Sequence, residues 1–305
     1  MSHATDSSKV LFVYNPNSGR GRVASALGSI RAALDKHGIG LDEHHLQSGV
    51  PSRESVSRYR ALIAAGGDGT VAALCGVASE TEVPLLHYAA GTENLFSREF
   101  MMPRDARLVA RWVHAGRTKR IDLARYRVNR SDERAVAIML SVGPDAGVIH
   151  RLHRVRRGAI THLSYVPRVL EELASPTLPT VTIEVDGRTV ADGVRGMTLI
   201  ANLRSYGGRF NPAPDADAAD GELDVVFMPA HGSLRWLFNM TLSLVGASSM
   251  IPGRIEVRGK RVRIVTAGGA MQSDGEACWS GTESTEIEVA IRPASLAILI
   301  DPDAR

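Results

Sequence analysis

Three short apolar runs each lead into a glycine-containing turn and then into a helical pattern, and this repeat limits the fold more than any other feature. The runs are Val10–Tyr14, Ala61–Ala65 and Leu85–Ala90, followed by the turns NPNSGRG, GGDGT and GTEN. Continuous apolar runs of this length are typical of strands that are buried on both faces of a parallel sheet. The repeat predicts an α/β N-terminal domain with a parallel, Rossmann-like sheet.

After about Ala124 the pattern changes to short alternating segments separated by turn residues. They are Val136–Val142, Thr180–Val185, Met197–Leu203, Leu223–Met228, Arg254–Val257, Arg261–Val265 and Ile287–Ile291. Such a series predicts a C-terminal domain that is an antiparallel β-sandwich or a barrel. Helical spacing interrupts it at about Ile160–Leu173 and Ser233–Val245.

We therefore expect two domains, 1–124 and 125–291, with 292–305 either ending the second domain or packing back on the first. A chain of 305 residues with 44% hydrophobic residues is long enough to bury two cores. The net charge of +3 is too small to indicate nucleic-acid binding. Two cysteines favour a reducing cytoplasm. The sequence contains no apolar run of about 18 residues, so it predicts no membrane-spanning helix.

The three turns lie where strands end and helices begin, which is the ligand-binding edge of an open parallel sheet. Helix N-termini and close backbone approach at glycine suit an anion such as phosphate. The Walker, dinucleotide, GxSxG, HExxH and CxxC patterns do not occur. His150 and His153 lie among arginines, and we interpret them as a solvated basic face.

Motifs along nearly the whole chain resemble, in order, those of the diacylglycerol kinase catalytic family. That family includes sphingosine and ceramide kinases and bacterial soluble lipid kinases. The residues that carry the resemblance are Asn15–Gly21, Gly66–Thr70, Gly91–Asn94, Tyr206-Gly207-Gly208, Pro212-Ala213-Pro214, Asp220–Asp224 and Gln272–Glu276. GGDGT alone also occurs in NAD kinases, whereas the full set is specific to lipid kinases.

The resemblance implies a nucleotide-binding α/β domain, a β-sandwich with the lipid site, and ATP in the cleft between them. It assigns to ATP the residues Asn15, Pro16, Asn17, Ser18, Gly19, Gly66, Gly67, Asp68, Gly69, Thr70, Val71, Ala72, Thr92 and Asn94. Thr70 is expected to cap its helix and to offer a hydroxyl to phosphate. Asp68 beside phosphate must be held by backbone N–H groups, Mg²⁺ or a protonated partner, unless it only shapes the loop.

The resemblance also implies a structural Mg²⁺ held by the Asp220 side chain and the carbonyls of Asp217 and Glu222. Hard oxygen ligands suit this ion, and the alternative is an acidic surface loop without an ion. The implied catalytic residues are Glu276 as base, Asp274 as the second candidate, and Asp68. In an extended segment Asp274 and Glu276 would point to the same side.

We therefore expect an ATP- and Mg²⁺-dependent lipid kinase that phosphorylates the hydroxyl of a diacylglycerol-like or sphingoid acceptor. The alternatives are an NAD-kinase-like enzyme with a soluble acceptor and a catalytically weak nucleotide- or lipid-binding protein. Leu95 motivates the last, because the family usually has Asp there, although sphingosine and ceramide kinases also lack it. The sequence leaves a homodimer open.

We therefore expect a cytoplasmic protein, and a lipid acceptor would bring it to the periphery of a membrane. The helix around Trp236, Leu237 and Phe238 is either an edge of the lipid site or a core helix of the sandwich. The basic stretch Arg151–Arg157 is a candidate for anionic headgroups.

Overall fold

The computed structural model describes residues 8–15, 21–154, 162–204 and 210–304. These residues form two compact units, one from 1–123 with 294–305 and the other from 124–293. In this division the closing segment 294–305 belongs to the first unit.

The first unit alternates strands and helices. Its elements are β1 (Lys9–Tyr14), α1 (Arg22–Asp35), β2 (Gly40–His45), α2 (Arg53–Val56), β3 (Ala61–Gly66), α3 (Asp68–Thr81), β4 (Leu85–Ala89), α4 (Leu95–Glu99), α5 (Ala106–Ala115) and the start of β5 (Thr118–Val128). A 3₁₀ turn at Leu46–Ser48 follows β2.

The strands of this unit pair in parallel. β1 lies between β2 and β3, and β3 pairs with β4. Ile298, near the end of the last strand, pairs in parallel with Leu85 of β4. Every residue of β3 is buried, as expected for a strand covered on both faces. Because the strands are parallel, the carboxyl ends of β1, β3 and β4 lie at the same edge of the sheet.

The second unit is rich in antiparallel strands. Its elements are the rest of β5, β6 (Arg134–Val136), β7 (Met139–Val142), α6 (Pro144–Arg154), α7 (His162–Ala174), β8 (Thr180–Val185), β9 (Arg188–Ala201), β10 (Leu223–Pro229), α8 (Ser233–Leu244), β11 (Ile255–Gly259), β12 (Arg261–Ser273) and most of β13 (Glu276–Leu299). Another 3₁₀ turn, at Ser248–Met250, follows α8.

Neighbouring strands in this unit follow the order β11, β10, β9, β7, β12 and β13, and β8 pairs with both β9 and β12. Inward-facing aliphatic side chains of these strands form one core, with Val181, Ile183, Val225, Ile264 and Ile287 among its members. A smaller apolar cluster of Val148, Leu178, Ala230 and Trp236 lies beneath α6, α7 and α8. The structure thus confirms an α/β N-terminal unit followed by a β-rich C-terminal unit.

Two features of the second unit differ from the sequence prediction. The strand expected at Val136–Val142 is interrupted at Ala137 and Ile138, because the backbone N–H groups there donate to a carboxylate instead of a neighbouring strand. The basic stretch is only partly available for headgroups, because Arg151 Nε donates to the fully buried Glu172 over 2.7 Å. Residues 155–157 of that stretch lie outside the described residues.

Within the described residues, no helix is both long enough and apolar enough to cross a lipid bilayer.

Candidate active site

The turn after β3 is tied to the turn after β4 through one carbonyl. The Gly66 carbonyl accepts the N–H of Ala90 at 2.8 Å and that of Gly91 at 3.2 Å. The buried imidazole of His87 approaches the same carbonyl, with its Nε2 at 3.0 Å. The structure therefore holds together two of the three turns that the sequence assigns to phosphate.

Glycine is required where these two turns touch. A Cβ placed on Gly91 would lie 2.5 Å from Gly67 Cα, a distance that real side chains do not reach. A Cβ on Gly66 would lie 2.2 Å from Thr70 Oγ1. The glycines of these motifs thus have a packing role inside the protein as well as the predicted role of leaving room for a phosphate.

Asp68 is held by the backbone, as one branch of the prediction requires. Its Oδ1 accepts the N–H of Phe96 at 3.1 Å, and Asp68 itself is the first residue of α3. The positive end of the helix dipole favours a carboxylate there. Asp68 is only partly buried, so its carboxylate is not fully enclosed by the protein.

The other predicted nucleotide ligands differ in how much of the side chain is available. Thr70 does not cap α3, because Gly67 occupies the N-cap position. Asn94 uses its amide locally, with Oδ1 accepting the Gly91 N–H at 2.8 Å and Nδ2 donating to the Gly91 carbonyl at 2.9 Å. Val71 is fully buried, so only its backbone can reach a ligand.

The remaining nucleotide residues are accounted for as follows. Gly69 and Ala72 lie in the first two turns of α3 and are half-buried, Thr92 is exposed, and Asn15 directly follows β1. Pro16, Asn17, Ser18 and Gly19 lie outside the described residues, as do Tyr206, Gly207 and Gly208.

His87 was not among the predicted site residues; it is buried in β4, directly behind the glycine turn. Burial lowers the pKa of His87, and the nearby Asp68 charge opposes this only in part. Because a carbonyl can only accept, Nε2 carries the proton, and Nδ1 has no hydrogen-bond partner among the described residues. A lone histidine in the apolar strand LLHYA was the available signal.

In the second unit, the Gln272–Glu276 motif is a tight hairpin turn between β12 and β13. Asp274 and Gly275 both have positive φ, of 50° and 82°, which is the geometry of a type I′ turn. The expectation of an extended segment was therefore wrong, and the two carboxylates do not share a side. The Asp-Gly pair itself was the sequence signal for this turn.

Asp274 points inward and is bound by three backbone N–H groups. Its carboxylate accepts from Ala137 and Ile138 at 2.8 Å and from Met139 at 2.9 Å. The side chain is buried, and its own N–H donates to the Met139 carbonyl. Both carboxylate oxygens therefore have structural partners.

Glu276, by contrast, begins β13 with 46% of its side chain exposed. Its Oε2 lies 3.2 Å from Nε2 of His153 on α6. His150, one turn earlier on α6, places Nε2 3.0 Å from the Met271 carbonyl. The two histidines therefore contact this hairpin, and their interpretation as a solvated basic face was wrong.

A buried polar network supports the same turn from behind. The Gln272 side chain accepts the Gly275 N–H at 2.9 Å and donates to Ser141 Oγ at 2.9 Å. Ser141 in turn donates to Asp145, the second residue of α6. Ser141 and Asp145 could not be predicted from the sequence, because isolated Ser and Asp residues form no pattern along the chain.

The acidic loop Asp215–Glu222, just before β10, contacts the guanidinium of Arg258. Asp220 Oδ1 accepts the Glu222 N–H at 3.0 Å, and its Oδ2 lies 3.7 Å from Arg258 Nη1. The Asp217 carbonyl accepts the Asp220 N–H at 3.4 Å. Arg258 also donates to the buried Asp224 at 3.0 Å; burial raises the pKa of Asp224, and the Arg258 charge opposes that shift.

This loop offers carbonyl and carboxylate oxygens on one turn, so its donor chemistry fits Mg²⁺. The described residues contain no group of three His, Cys, Asp or Glu side chains arranged for a metal. The predicted set needs only one carboxylate, because its other two ligands are backbone carbonyls.

Two family models match this chain, one over most of each unit. Residues 9–126 match the diacylglycerol kinase catalytic domain. Residues 138–300 match the family described as YegS C-terminal NAD kinase beta sandwich-like domain. The two matches together cover the motifs of both units.

Similar proteins carry related names. A diacylglycerol kinase of Mycobacterium tuberculosis is 28% identical over 304 residues, which cover 95% of this chain and 94% of that protein. A solved diacylglycerol kinase of Bacillus anthracis has a TM-score of 0.64 at 18% identity, covering 97% of each chain. An NAD kinase of Archaeoglobus fulgidus in complex with ATP has a TM-score of 0.54 at 12% identity, covering 96% of this chain and 94% of that one. The two structural likenesses show the fold alone.

The two units together identify the class of protein. The first has a parallel sheet whose two glycine turns are held together, and the second is rich in β-strands and carries the Q-x-DGE hairpin. The chain belongs to the diacylglycerol kinase catalytic family. It is an ATP-dependent kinase that phosphorylates a hydroxyl group.

The contact between the two glycine turns makes a first prediction. Gly91→Ala should force the turns after β3 and β4 apart, lowering stability by about 1–3 kcal/mol and weakening ATP binding. Thermal unfolding and ATP titration measure the two effects. Gly28→Ala is the matched control, because a Cβ there meets no atom within 4 Å, and it should be neutral or stabilising. Unchanged unfolding and ATP affinity in Gly91→Ala would contradict the assigned contact.

The buried His87 makes a second prediction, about pH. Its pKa is lower in the folded than in the unfolded chain, so the unfolded chain binds more protons below the ordinary value of 6.5. Stability should therefore be lost as pH falls through that value, by up to about 1.4 kcal/mol per pH unit from this group. His87→Gln should remove this part of the acid sensitivity, as seen by thermal unfolding across the pH range.

The matched control for His87→Gln is His44→Gln. His44 is half-buried, and its Nε2 also contacts a backbone carbonyl, that of Gly49 at 2.8 Å. Its replacement should leave the pH dependence close to that of the wild type. If His87→Gln and the wild type lose stability equally on acidification, His87 is not buried in the neutral form.

Proposed function

We propose that this chain transfers the γ-phosphate of ATP to the hydroxyl group of a lipid, with Glu276 as the general base. The observation that carries the proposal is the difference between the two carboxylates of the hairpin. Asp274 is buried and bound by three N–H groups, whereas Glu276 is half-exposed. One carboxylate thus fixes the turn, and we propose that the other, at the protein surface, contacts the substrate.

In the proposed step, the acceptor oxygen attacks the γ-phosphorus while its proton passes to the Glu276 carboxylate. The new bond joins the acceptor oxygen to phosphorus, and the bond to the β,γ-bridging oxygen breaks with its electrons remaining on ADP. Such a transfer needs positioning and charge stabilisation more than covalent chemistry. His153, beside Glu276, is proposed to orient the carboxylate.

The nucleotide is proposed to bind at the sheet edge of the first unit. The tied turns present Gly66–Ala72 at the start of α3, whose N-terminal N–H groups and dipole favour phosphate. Thr92, Asn94 and the residues from Asn15 to Gly19 belong to the same proposed site. Asp68 is proposed to act there from its second oxygen, since its first is fixed by Phe96.

A lipid acceptor is supported by the relatives, whose names are diacylglycerol kinase at 28% and 24% identity over most of this chain. Diacylglycerol-like and sphingoid acceptors both present a hydroxyl close to long apolar chains. Radiolabel transfer from ATP to a lipid panel, with NAD as a soluble acceptor, distinguishes the candidates. Labelling of NAD and of no lipid would overturn the proposal.

Mg²⁺ is proposed to bind the Asp220 carboxylate with the carbonyls of Asp217 and Glu222. When bound, the ion would neutralise the acidic loop and hold its turn before β10. Arg258 already supplies one positive charge to this loop. The ion and the guanidinium would therefore share the charge of Asp220 and Asp224.

The base assignment predicts different consequences for the two carboxylates. Glu276→Gln should lower kcat by about 10²–10⁴-fold with little change in ATP affinity or unfolding temperature. Asp274→Asn should chiefly destabilise the fold, because an amide nitrogen cannot accept the backbone N–H groups. Steady-state kinetics, ATP titration and thermal unfolding separate the effects.

Glu288→Gln, at an exposed position on the same strand, is the control for the loss of one negative charge. It should leave kcat unchanged. Near-normal turnover in Glu276→Gln would exclude that residue as the base. A well-folded but inactive Asp274→Asn would assign the proton transfer to Asp274 instead.

The metal assignment predicts that Mg²⁺ stabilises the wild type but not Asp220→Ala. At 100 times the dissociation constant, binding to the folded chain adds about 2.7 kcal/mol. Loss of the Arg258 contact also destabilises the variant, so the decisive quantity is the shift of the unfolding temperature between chelator and Mg²⁺. Asp132→Ala, at an exposed position, should keep the full shift. Equal shifts in the wild type and Asp220→Ala would remove the metal from this loop.

A further inference from the structure

The helix α8 turns its apolar residues outward. Leu234, Leu237, Phe238, Leu244 and the adjoining Val245 recur at helical spacing along one stripe. Leu234 is 85% exposed, Phe238 46% and Val245 69%. Met250, in the 3₁₀ turn that follows, is 70% exposed. A stripe of this size on a surface helix is typical of an interaction site.

The opposite face of α8 is largely polar but buried. Asn239 is buried and its Nδ2 donates to the Pro229 carbonyl at 3.0 Å. Ser243 is fully buried, with Oγ donating to the Asn239 carbonyl at 2.9 Å. Trp236 packs into the cluster with Val148 and Ala230. These contacts fix the rotation of the helix about its axis and hold the apolar stripe on the outside.

The charge around the stripe favours an anionic partner. The sequence from Val225 to Ile255 contains no Asp or Glu. The Arg235 guanidinium lies 5.7 Å from the centroid of the Phe238 ring, and Arg235 also donates to the Pro252 carbonyl at 2.6 Å. A cation beside an exposed aromatic ring suits the headgroup region of a bilayer.

A second copy of the chain fits this face less well. Two copies paired through the stripe would bring Arg235 against Arg235, without an acidic residue of the same segment to pair with either. A bilayer supplies both an apolar layer for Leu234 and Phe238 and phosphate groups for Arg235. The face therefore matches a lipid surface in both its apolar and its charged components.

We propose that the outer face of α8, with Val245 and Met250, docks the protein on a bilayer that contains anionic lipids. The apolar side chains would enter the boundary between headgroups and acyl chains, and Arg235 would remain among the phosphates. The proposal rests on the proposed function only in that a lipid acceptor makes such docking useful. Docking itself requires neither ATP nor phosphoryl transfer.

The experiment measures sedimentation of the full chain with vesicles, without nucleotide. The vesicles contain phosphatidylcholine alone or phosphatidylcholine with phosphatidylglycerol. Wild type should bind the anionic vesicles, and the double variant L234S/F238S should bind them at least tenfold more weakly. Arg235→Gln should lower binding about fivefold and reduce its dependence on salt.

The control variant is Met101→Ser, which removes an exposed apolar side chain of the first unit. It should bind the vesicles as wild type does, and circular dichroism and thermal unfolding should show all variants folded. Equal vesicle binding by wild type and L234S/F238S would overturn the proposal. So would a wild-type dimer that L234S/F238S makes monomeric while vesicle binding stays unchanged, since a second copy would then cover the face.

A kinase assay separates this proposal from the proposed function. Turnover of a lipid embedded in anionic vesicles should fall in L234S/F238S, whereas turnover of a short-chain, dispersed lipid should match wild type. If wild type phosphorylates no lipid but sediments with vesicles through α8, docking stands and the proposed function fails. Loss of turnover on both lipid forms in a folded L234S/F238S would overturn docking as the role of this face.

Discussion

The second unit depends most on the hydrogen bonds that backbone N–H groups donate to the Asp274 carboxylate. Three backbone N–H groups, from Ala137, Ile138 and Met139, donate to it within 2.9 Å. Each charge-assisted bond of this kind contributes about 1.5–3 kcal/mol. Without the carboxylate, buried backbone donors between β6 and β7 would lose their partners, and the β12–β13 hairpin would lose its attachment. The position of Glu276 follows directly, because it is the first residue after this turn.

The first unit has a comparable centre in the Gly66 carbonyl. It receives the N–H groups of Ala90 and Gly91, and His87 approaches it from the core. Since these contacts join the ends of β3 and β4, the two glycine turns behave as one structure. A mutation in either turn is therefore expected to affect the other.

Much of the fold was predictable because its signals are local. Buried runs such as Val10–Tyr14 and turn residues after them give strands and their ends, and α8 was expected within one residue of its observed end. The hairpin at Asp274 was predictable in principle from its Asp-Gly pair, but the comparison of the two carboxylates assumed an extended chain. The split between β6 and β7 was not predictable, because its cause is a carboxylate that lies more than a hundred residues later in the sequence.

The candidate site shows the same limit. The motif residues could be found from their order, whereas Ser141, Asp145 and His153 contact the hairpin only through the folding of α6 and β7. Their roles depend on long-range packing, which has no period or spacing along the chain. The helix α6 itself was missed, since its histidines and arginines read as a polar surface rather than as a helix packed on β12.

Leu95 illustrates how a departure from the family pattern can leave the fold intact. The side chain is buried at the start of α4, and the next residue, Phe96, donates its N–H to Asp68. The contact that ties α4 to the GGDGT turn therefore uses the backbone after Leu95 and needs nothing from the side chain at position 95. Replacing the usual Asp by Leu removes a carboxylate from the site but adds an apolar contact to the core. In the proposed nucleotide site, the substitution therefore changes the charge and leaves the backbone contact between Phe96 and Asp68 intact.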